Sequence, residues 1–241
     1  MILDIALSRL DPARRSSSGR AVAVIDVIRA TTTIAVALDN GCAGVIPVRT
    51  LGEARALALK IGSSGLLAGE RGAAKAVGFE LGNSPAEYGR ERVEGKTIVL
   101  TTTNGTRAFR AVGGAQALIA TAFPNVSAAA RWLTRTGLDI LILCAGKHGR
   151  FCLEDAVGGG MLIDRLLAFS DRPVELSDAA QAAHQLFVAH RDDLLGMLRG
   201  CEWGRHIIQK GFGADLEICA QVDLTDIVPV MREGRLVAER A

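Results

Sequence analysis

Short apolar runs alternate with segments of helical periodicity along this chain, and this alternation limits the fold more than any other feature. The strand-like runs are RAVAVIDV, GVIPV, GLLAG, KTIVLTTT, ALIATA and LDILILCAG, and most are separated by helical patterns such as TLGEARALALKIG, GTRAFRAVGG and NVSAAARWLTRTG. Strands and helices that alternate at this pace favour a parallel sheet covered by helices. The sequence therefore predicts an α/β fold of three layers, with a largely parallel or mixed sheet flanked by helices.

The last third of the chain has a different pattern. A long helix is predicted from about Ser177 to Leu198, followed by the helical segment EWGRHIIQKGFGADLEICAQVD and a terminal hairpin in DIVPVMREGRLV. We predict a single domain over residues 1–241, with a helical subdomain at about 173–223 as the alternative. The apolar residues of the long helix suit either the core or a second copy of the chain, so a homodimer stays open.

Composition excludes several classes of partner. The net charge of the 241 residues is +2, which offers no broad field for nucleic acid, and the cluster RRSSSGR is typical of a solvated loop. No apolar run approaches the roughly 20 residues of a membrane-spanning helix, and the charges in MILDIALSRLDPARR are unlike a signal peptide. Five cysteines without a C-x-x-C pair suggest neither disulfides nor zinc. We expect a cytoplasmic protein with no nucleic-acid or membrane partner.

Charged and hydroxyl side chains follow four of the predicted strands. Ligands of parallel α/β sheets bind beyond the carboxyl ends of the strands, so these residues are best considered together. In chain order they are Asp26, Arg29, Thr31, Thr32 and Thr33; Glu70 and Arg71; Thr103, Asn104, Gly105, Thr106 and Arg107; and Lys147, Arg150, Glu154 and Asp155.

The residue types predict an anion site with a metal. Hydroxyls and backbone N–H groups at helix N-termini bind oxyanions, and arginine adds a fork that matches phosphate, carboxylate or sulfonate. The segments RATTT and TTTNGTR are therefore interpreted as two anion cradles. Carboxylates among these cations suit Mg²⁺, which usually bridges to substrate phosphate, or they act as acid or base.

Structural interpretations exist for each of these signals. Threonine is a strand former, so IVLTTT could extend a strand, and an acid such as Asp26 after an apolar strand is often a helix cap. Glu154 and Asp155 in a first helical turn could simply complement the helix dipole. Only the convergence of all these residues on one edge favours a functional site.

Long motifs in this chain resemble those of the 2-phosphosulfolactate phosphatase family. They are VIDVIRATTTIAVALDNG, GERGAAKAVGFELGNSPAEY, IVLTTTNGTRA, LILCAGKHGRFCLEDAVGGG and ADLEICAQVDLTDIVPV, in the family's order and over nearly the whole chain. The resemblance implies a Mg²⁺-dependent enzyme that hydrolyses (R)-2-phospho-3-sulfolactate to 3-sulfolactate and phosphate, on the route to coenzyme M.

Roles for individual residues follow from the site pattern and this substrate, which carries phosphate, sulfonate and carboxylate. We predict catalytic roles for Asp26, Arg29, Glu70, Arg107 and Asp155, and metal binding by Asp26, Glu70 and Asp155. We predict substrate binding by Thr31, Thr32, Thr33, Arg71, Thr103, Asn104, Gly105, Thr106, Lys147 and Arg150. The sequence does not decide which arginine binds the sulfonate or whether a phosphoenzyme forms.

Two other functions remain open at this point. A related phosphatase could use the same site on another small phosphorylated acid, because family membership does not fix the substrate. A non-catalytic protein could use the same cradles to bind an oxyanion without turnover. A haloacid-dehalogenase mechanism is disfavoured because Ile28 stands where its second aspartate would be, and no Walker P-loop is present.

Overall fold

The computed structural model describes residues 1–11 and 17–240. Part of the RRSSSGR cluster therefore lies outside the described residues. Within them, eleven strands form one sheet and ten helices flank it. The strands are β1 (Ile2–Ala6), β2 (Ala21–Ile25), β3 (Gly44–Pro47), β4 (Gly65–Arg71), β5 (Ala74–Lys75), β6 (Thr97–Thr101), β7 (Ala117–Thr121), β8 (Ile140–Cys144), β9 (Glu175–Leu176), β10 (Ile227–Arg232) and β11 (Arg235–Arg240).

The helices fall largely where the periodicity predicts them. They are α1 (Ala30–Asp39), α2 (Leu51–Ile61), α3 (Arg90–Val93), α4 (Gly105–Ala111), α5 (Val126–Thr136), α6 (Leu153–Phe169), α7 (Asp178–His190), α8 (Leu194–Gly200), α9 (Glu202–Gln209) and α10 (Asp215–Cys219). The predicted helix from 177 to 198 is wrong in one respect, because it is interrupted after His190. Asp193 accepts a hydrogen bond from the N–H of Gly196 at 2.8 Å and starts a new helix there.

Two parallel blocks make up most of the sheet. The strand order is β5-β4-β6-β3-β11-β10-β7-β2-β8-β1-β9, with β4, β6 and β3 mutually parallel and β7, β2, β8, β1 and β9 forming the second parallel block. The α/β fold with a mixed sheet is confirmed. β1 was not among the predicted strands, although it pairs in register with β8.

The terminal hairpin β10–β11 is confirmed, and it lies in the middle of the sheet between the two blocks. Glu233 and Gly234 take positive φ values of 49° and 83°, as a tight two-residue hairpin turn requires. Each outer side of the hairpin pairs antiparallel with a block through one residue pair, Leu236 with Val45 and Val230 with Ile119. The blocks therefore run in opposite senses, with the two hairpin strands between them.

Helices cover both faces of the sheet. In β2, Ala21, Ala23 and Ile25 pack into a core with α5, α6 and α7, whereas Val22 and Val24 face the opposite core with α1 and α4. This alternation gives the three predicted layers. The C-terminal helices share the first core through Leu198, Leu216 and Cys219, among others. In the described part of the chain, no helix is both long and apolar enough to cross a membrane.

Candidate active site

Asp26 lies at the centre of the candidate site, directly after β2. It is 8% exposed, and its Oδ1 accepts a hydrogen bond from the N–H of Ala30 at 3.2 Å. Burial raises the pKa of Asp26 from 3.8 to about 7, and the charges of Glu70 and Glu154 add to the rise. A buried carboxyl group with a pKa this high is a feature of functional sites.

Glu70 and Asp155 hold the loops that surround Asp26. The two oxygens of Glu70 accept from the N–H groups of Thr103 at 2.7 Å and Ala73 at 2.9 Å. The two oxygens of Asp155 accept hydrogen bonds from the N–H groups of Val27 and Gly146, both at 2.9 Å. Each carboxylate thus ties together two segments that are distant in the sequence.

The predicted metal triad of Asp26, Glu70 and Asp155 is not assembled as such. In residues 1–11 and 17–240, no group of three or more His, Cys, Asp or Glu side chains has an arrangement that could hold a metal. The physical reason is that Glu70 and Asp155 turn both oxygens toward backbone N–H groups. Glu154, which is 3% exposed, shares a hollow with Asp26 instead.

The hydroxyls of the threonines after β2, which were predicted to form an anion cradle, are bonded within the protein. They donate to backbone carbonyls: Thr31 to Asp26 at 2.9 Å, Thr32 to Val27 at 2.9 Å and Thr33 to Asn83 at 3.0 Å. All three side chains are buried, because α1 begins inside the protein. They shape the loop that presents Asp26.

The Arg29 side chain is also bonded to other groups of the protein. It is 2% exposed, and its guanidinium donates to Asp215 Oδ2 at 2.5 Å and to the carbonyl of Ala73 at 2.8 Å. Its charge also lies 4.7 Å from the ring centre of Phe212. Arg29 also lines part of the candidate site, so its role in gripping an oxyanion stays a prediction.

In the second predicted cradle, two threonines bind each other. The N–H of Thr106 donates to Thr102 Oγ1 and the N–H of Thr102 donates to Thr106 Oγ1, each at 3.1 Å. The Thr106 hydroxyl donates to the carbonyl of Thr102 at 3.2 Å, so this hydroxyl is bonded within its own loop. By contrast, the Thr103 hydroxyl is one of the buried polar atoms that lack a hydrogen-bond partner among the described residues.

The predicted arginines Arg71 and Arg107 lie near each other. The Arg71 guanidinium donates to the carbonyl of Glu70 and to the Thr101 hydroxyl, at 2.5 and 3.1 Å. Burial lowers the pKa of Arg71, and the charge of Arg107 lowers it further. Arg107 is exposed and lines neither hollow of the pocket.

Two adjoining hollows form one pocket, here called the Asp26 pocket. Both are lined by Asp26, Ile28, Asn104 and Trp203; one adds Gly146, Lys147, Cys152, Glu154 and Asp155, and the other adds Arg29, Glu70, Asn83 and Thr102. Each hollow has a cavity volume of about 10 Å³, far below the roughly 300–1,000 Å³ of sites for drug-sized ligands. Because this is about the space of one water molecule, a ligand enters only when the lining side chains move.

The loop after β8 supplies one wall of the pocket. Lys147 and Arg150 close a tight turn through mutual backbone hydrogen bonds of 3.0 and 2.9 Å. The N–H of His148 donates to Asn104 Oδ1 at 3.1 Å, which joins this turn to the loop after β6. Lys147 faces the Asp26 pocket, whereas Arg150 faces a second hollow outside it.

The sequence did not indicate Trp203 as a site residue, and it indicated Asn83 only as a residue that could contact substrate or lie on a subunit interface. Trp203 lies in a stretch that shows only helical periodicity, and nothing local connects it to strands formed far earlier in the chain. Asn83 belongs to the glycine-rich segment after β4, which is typical of a binding loop, and its Oδ1 has no hydrogen-bond partner among the described residues. Within that segment Tyr88 is buried, and its hydroxyl donates to Gly82 at 2.7 Å.

Gly105 is predicted to be irreplaceable because α4 starts against Asp26. A Cβ at this position would lie 2.5 Å from Ala30 Cβ and 2.6 Å from Asp26 Oδ2. We expect Gly105→Ala to lower the free energy of unfolding by about 1–3 kcal/mol, measured by urea denaturation. Gly113→Ala, where a Cβ would meet nothing within 4 Å, is the control and should change stability by less than about 0.5 kcal/mol. Equal effects of the two substitutions would contradict the close approach.

Comparison with known proteins gives one consistent result. The family model described as 2-phosphosulpholactate phosphatase matches residues 9–234. A protein of Carboxydothermus hydrogenoformans named probable 2-phosphosulfolactate phosphatase is 42% identical over 227 residues, which cover 93% of this chain and 92% of that protein. A protein of the same name from Thermotoga petrophila is 43% identical, and the match covers 89% of this chain and 90% of that protein. Another from Symbiobacterium thermophilum is 40% identical, and the match covers 94% of this chain and 97% of that protein.

Proposed function

The chain belongs to the 2-phosphosulfolactate phosphatase family, and from that premise we propose that it hydrolyses (R)-2-phospho-3-sulfolactate to 3-sulfolactate and phosphate. The observation that carries the proposal is the Asp26 pocket, where buried carboxyl groups and Lys147 line two adjoining hollows. We place this reaction on the route to coenzyme M, as the family resemblance implies.

The substrate brings three anionic groups into a pocket that already holds several carboxyl groups. Lys147 lines the pocket, and Arg150 lies in the adjoining outer hollow. The Thr103 hydroxyl, which has no partner among the described residues, can donate to an anionic group at the loops around Asp26. A separately placed cation or hydrogen-bond donor for each anionic group would favour this substrate over an ester with one charge.

The residues of the pocket fit Mg²⁺. Burial raises the pKa values of Asp26, Glu154 and Asp155, so their negative charges are unfavourable together without a cation. Mg²⁺ in enzymes commonly uses only one or two carboxylates and completes its shell with water and substrate phosphate. Asp26 and Glu154, which line the same hollow, are the two that would hold it. When bound, Mg²⁺ would lower the pKa of water and offset charge on the phosphoryl oxygens.

The chain itself would orient the ester and exclude bulk water. In the reaction, the oxygen of water adds to phosphorus, the bond from phosphorus to the C2 oxygen breaks, and that oxygen takes up a proton. Ile28 and Trp203 form apolar parts of the wall around the reacting group. Glu70 and Asp155 fix the surrounding loops, so that the geometry exists before the substrate binds.

We expect phosphate release from racemic 2-phosphosulfolactate to require Mg²⁺. EDTA should lower the rate by at least about 100-fold, and excess Mg²⁺ should restore it, because loss of several kcal/mol of charge stabilisation is a large rate effect. The measurement is colorimetric phosphate release with and without EDTA. Full activity in EDTA would contradict the metal proposal, and activity only on another phosphate ester would favour the related-phosphatase alternative. If no ester were turned over, the non-catalytic anion-binding alternative would be favoured.

A further inference from the structure

Glu202 lies at the mouth of the Asp26 pocket with its carboxylate on Lys147. Its Oε1 is 2.7 Å from Lys147 Nζ, and the side chain of Glu202 is 78% exposed, against 26% for Lys147. Lys147 lines both the Asp26 pocket and the outer hollow formed by Lys147, His148, Arg150, Phe151 and Glu202. The ammonium group at the entrance is therefore already paired with an anion from the protein.

The surroundings of Glu202 are those of an anion-binding position. The hydrogen bond and charge of Lys147 lower the pKa of Glu202, and the charges of Arg205 and Arg150 lower it further. Lys147 Nζ also lies 5.0 Å from the ring centre of Trp203, which forms the wall of the pocket. Three cations thus act on a single carboxylate, and one of them also faces the reaction space.

We propose that Glu202 is a displaceable occupant of the subsite for the second anionic group of the ligand, a carboxylate or sulfonate, which takes its place on Lys147. The inference rests on the proposed function for the identity of that ligand. Once the phosphate lies beside Asp26 and Glu154, two anionic groups of the substrate still need cationic partners. Lys147 lines the pocket and is paired with Glu202, so the carboxylate of Glu202 competes with an anionic group of the substrate for its charge.

Displacement of Glu202 is physically easy. An exposed ion pair contributes little to stability, because water and salt screen it and ordering two long side chains costs entropy. Glu202 is at the first position of α9, and only its side chain has to turn outward. A ligand that holds an anionic group beside Lys147 therefore displaces Glu202 at only a small cost in binding free energy.

Glu202→Gln should therefore improve substrate binding. We expect KM for 2-phosphosulfolactate to fall roughly two- to fivefold, the range expected for loss of one exposed ion pair, and kcat/KM to rise by the same factor. Glu94→Gln is the matched control, because it removes the same charge from the exposed pair with Arg90. It should leave KM unchanged. A rise in KM for Glu202→Gln would overturn the proposal, since Glu202 would then be orienting Lys147 for the substrate.

Ligand binding gives a test that does not depend on turnover. The chain has two tryptophans, Trp132 and Trp203, so a Trp132→Phe background leaves Trp203 as the reporter of its own pocket. Fluorescence titration would compare 3-sulfolactate, lactate and 2-hydroxyethanesulfonate with and without Glu202→Gln. Tighter binding of 3-sulfolactate by the Glu202→Gln protein supports the inference even if no ester is hydrolysed. Tighter binding of lactate as well would show that the carboxylate takes the place of Glu202, and tighter binding of 2-hydroxyethanesulfonate would show that the sulfonate does. Unchanged or weaker 3-sulfolactate binding overturns it, while turnover in the EDTA and Mg²⁺ assay would leave the proposed function standing.

Discussion

Asp26→Asn is expected to lose phosphatase activity and yet to be more stable than the parent protein at pH 8. The loss of turnover should be on the order of 10²–10⁴-fold, the range for a directly participating acid, base or charge-stabilising group. Asparagine can still accept the hydrogen bond from Ala30, so the loop should keep its shape. The measurements are steady-state phosphate release and thermal unfolding in EDTA.

The gain in stability follows from the sign of the pKa shift. The pKa of Asp26 rises from 3.8 to about 7 in the folded protein, chiefly through burial, so ionisation is more costly in the folded state than in the unfolded one. The protonated Asp26 carboxyl makes its full contribution to the stability of the folded protein below pH 3.8, and this contribution is lost as pH rises through about 7. The advantage of the variant should therefore be absent near pH 4 and reach a few kcal/mol, or about 5–10 °C in Tm, at pH 8.

Asp192→Asn is the control for loss of a negative charge, because the Asp192 side chain is 95% exposed. It should alter stability by less than about 0.5 kcal/mol at either pH and leave the rate unchanged. If Asp26→Asn hydrolysed the substrate at the rate of the parent protein, the proposed catalytic role of Asp26 would be wrong. Lower stability of Asp26→Asn at pH 8 would contradict the electrostatic account of its environment.

Asp215→Ala is expected to destabilise the protein by about 3–5 kcal/mol, because it leaves the Arg29 charge buried without its partner. Asp215 accepts from Arg29 at 2.5 Å and from the Ser84 hydroxyl at 2.6 Å, so it joins α10 to two loops of the site. Urea denaturation at pH 7 measures the effect. The exposed pair of Asp226 with Arg240 offers a control, and Asp226→Ala should cost no more than about 1 kcal/mol.

A double substitution separates the lost charge pair from lost packing. Replacing Arg29 and Asp215 together by leucine removes both buried charges, and much of the stability lost in Asp215→Ala should return. An Asp215→Ala protein within about 1 kcal/mol of the parent would show that Arg29 finds another partner. That result would favour the prediction that Arg29 is available to bind an oxyanion.

Local sequence patterns were sufficient for the α/β alternation and for the residues that follow the strands. Strand and helix periodicities act over a few residues, and Asp26 is visible at the end of an apolar run. The central position of the hairpin was not predictable in this way, because the pairs Leu236–Val45 and Val230–Ile119 join residues that are far apart in the sequence. The same limit applies to Arg29, whose partner Asp215 is 186 residues away.

The threonines show why residue type alone did not define the site. A hydroxyl that can donate to a phosphate can equally donate to a carbonyl of its own loop, and Thr31, Thr32 and Thr33 do the latter. Sequence predicts the capacity for a hydrogen bond but not the direction in which the side chain points. Trp203 illustrates the converse, since its role arises from the packing of α9 over loops formed much earlier in the chain.

The proposal that this pocket hydrolyses phosphosulfolactate is tested most directly by comparing kcat/KM for 2-phosphosulfolactate and 2-phospholactate, which differ in the sulfonate. One charged hydrogen bond contributes about 1.5–3 kcal/mol, so we expect a preference of roughly 10- to 150-fold for the sulfonate ester. Equal values, or faster hydrolysis of 2-phospholactate, would contradict the substrate assignment and leave a phosphatase of another small acid.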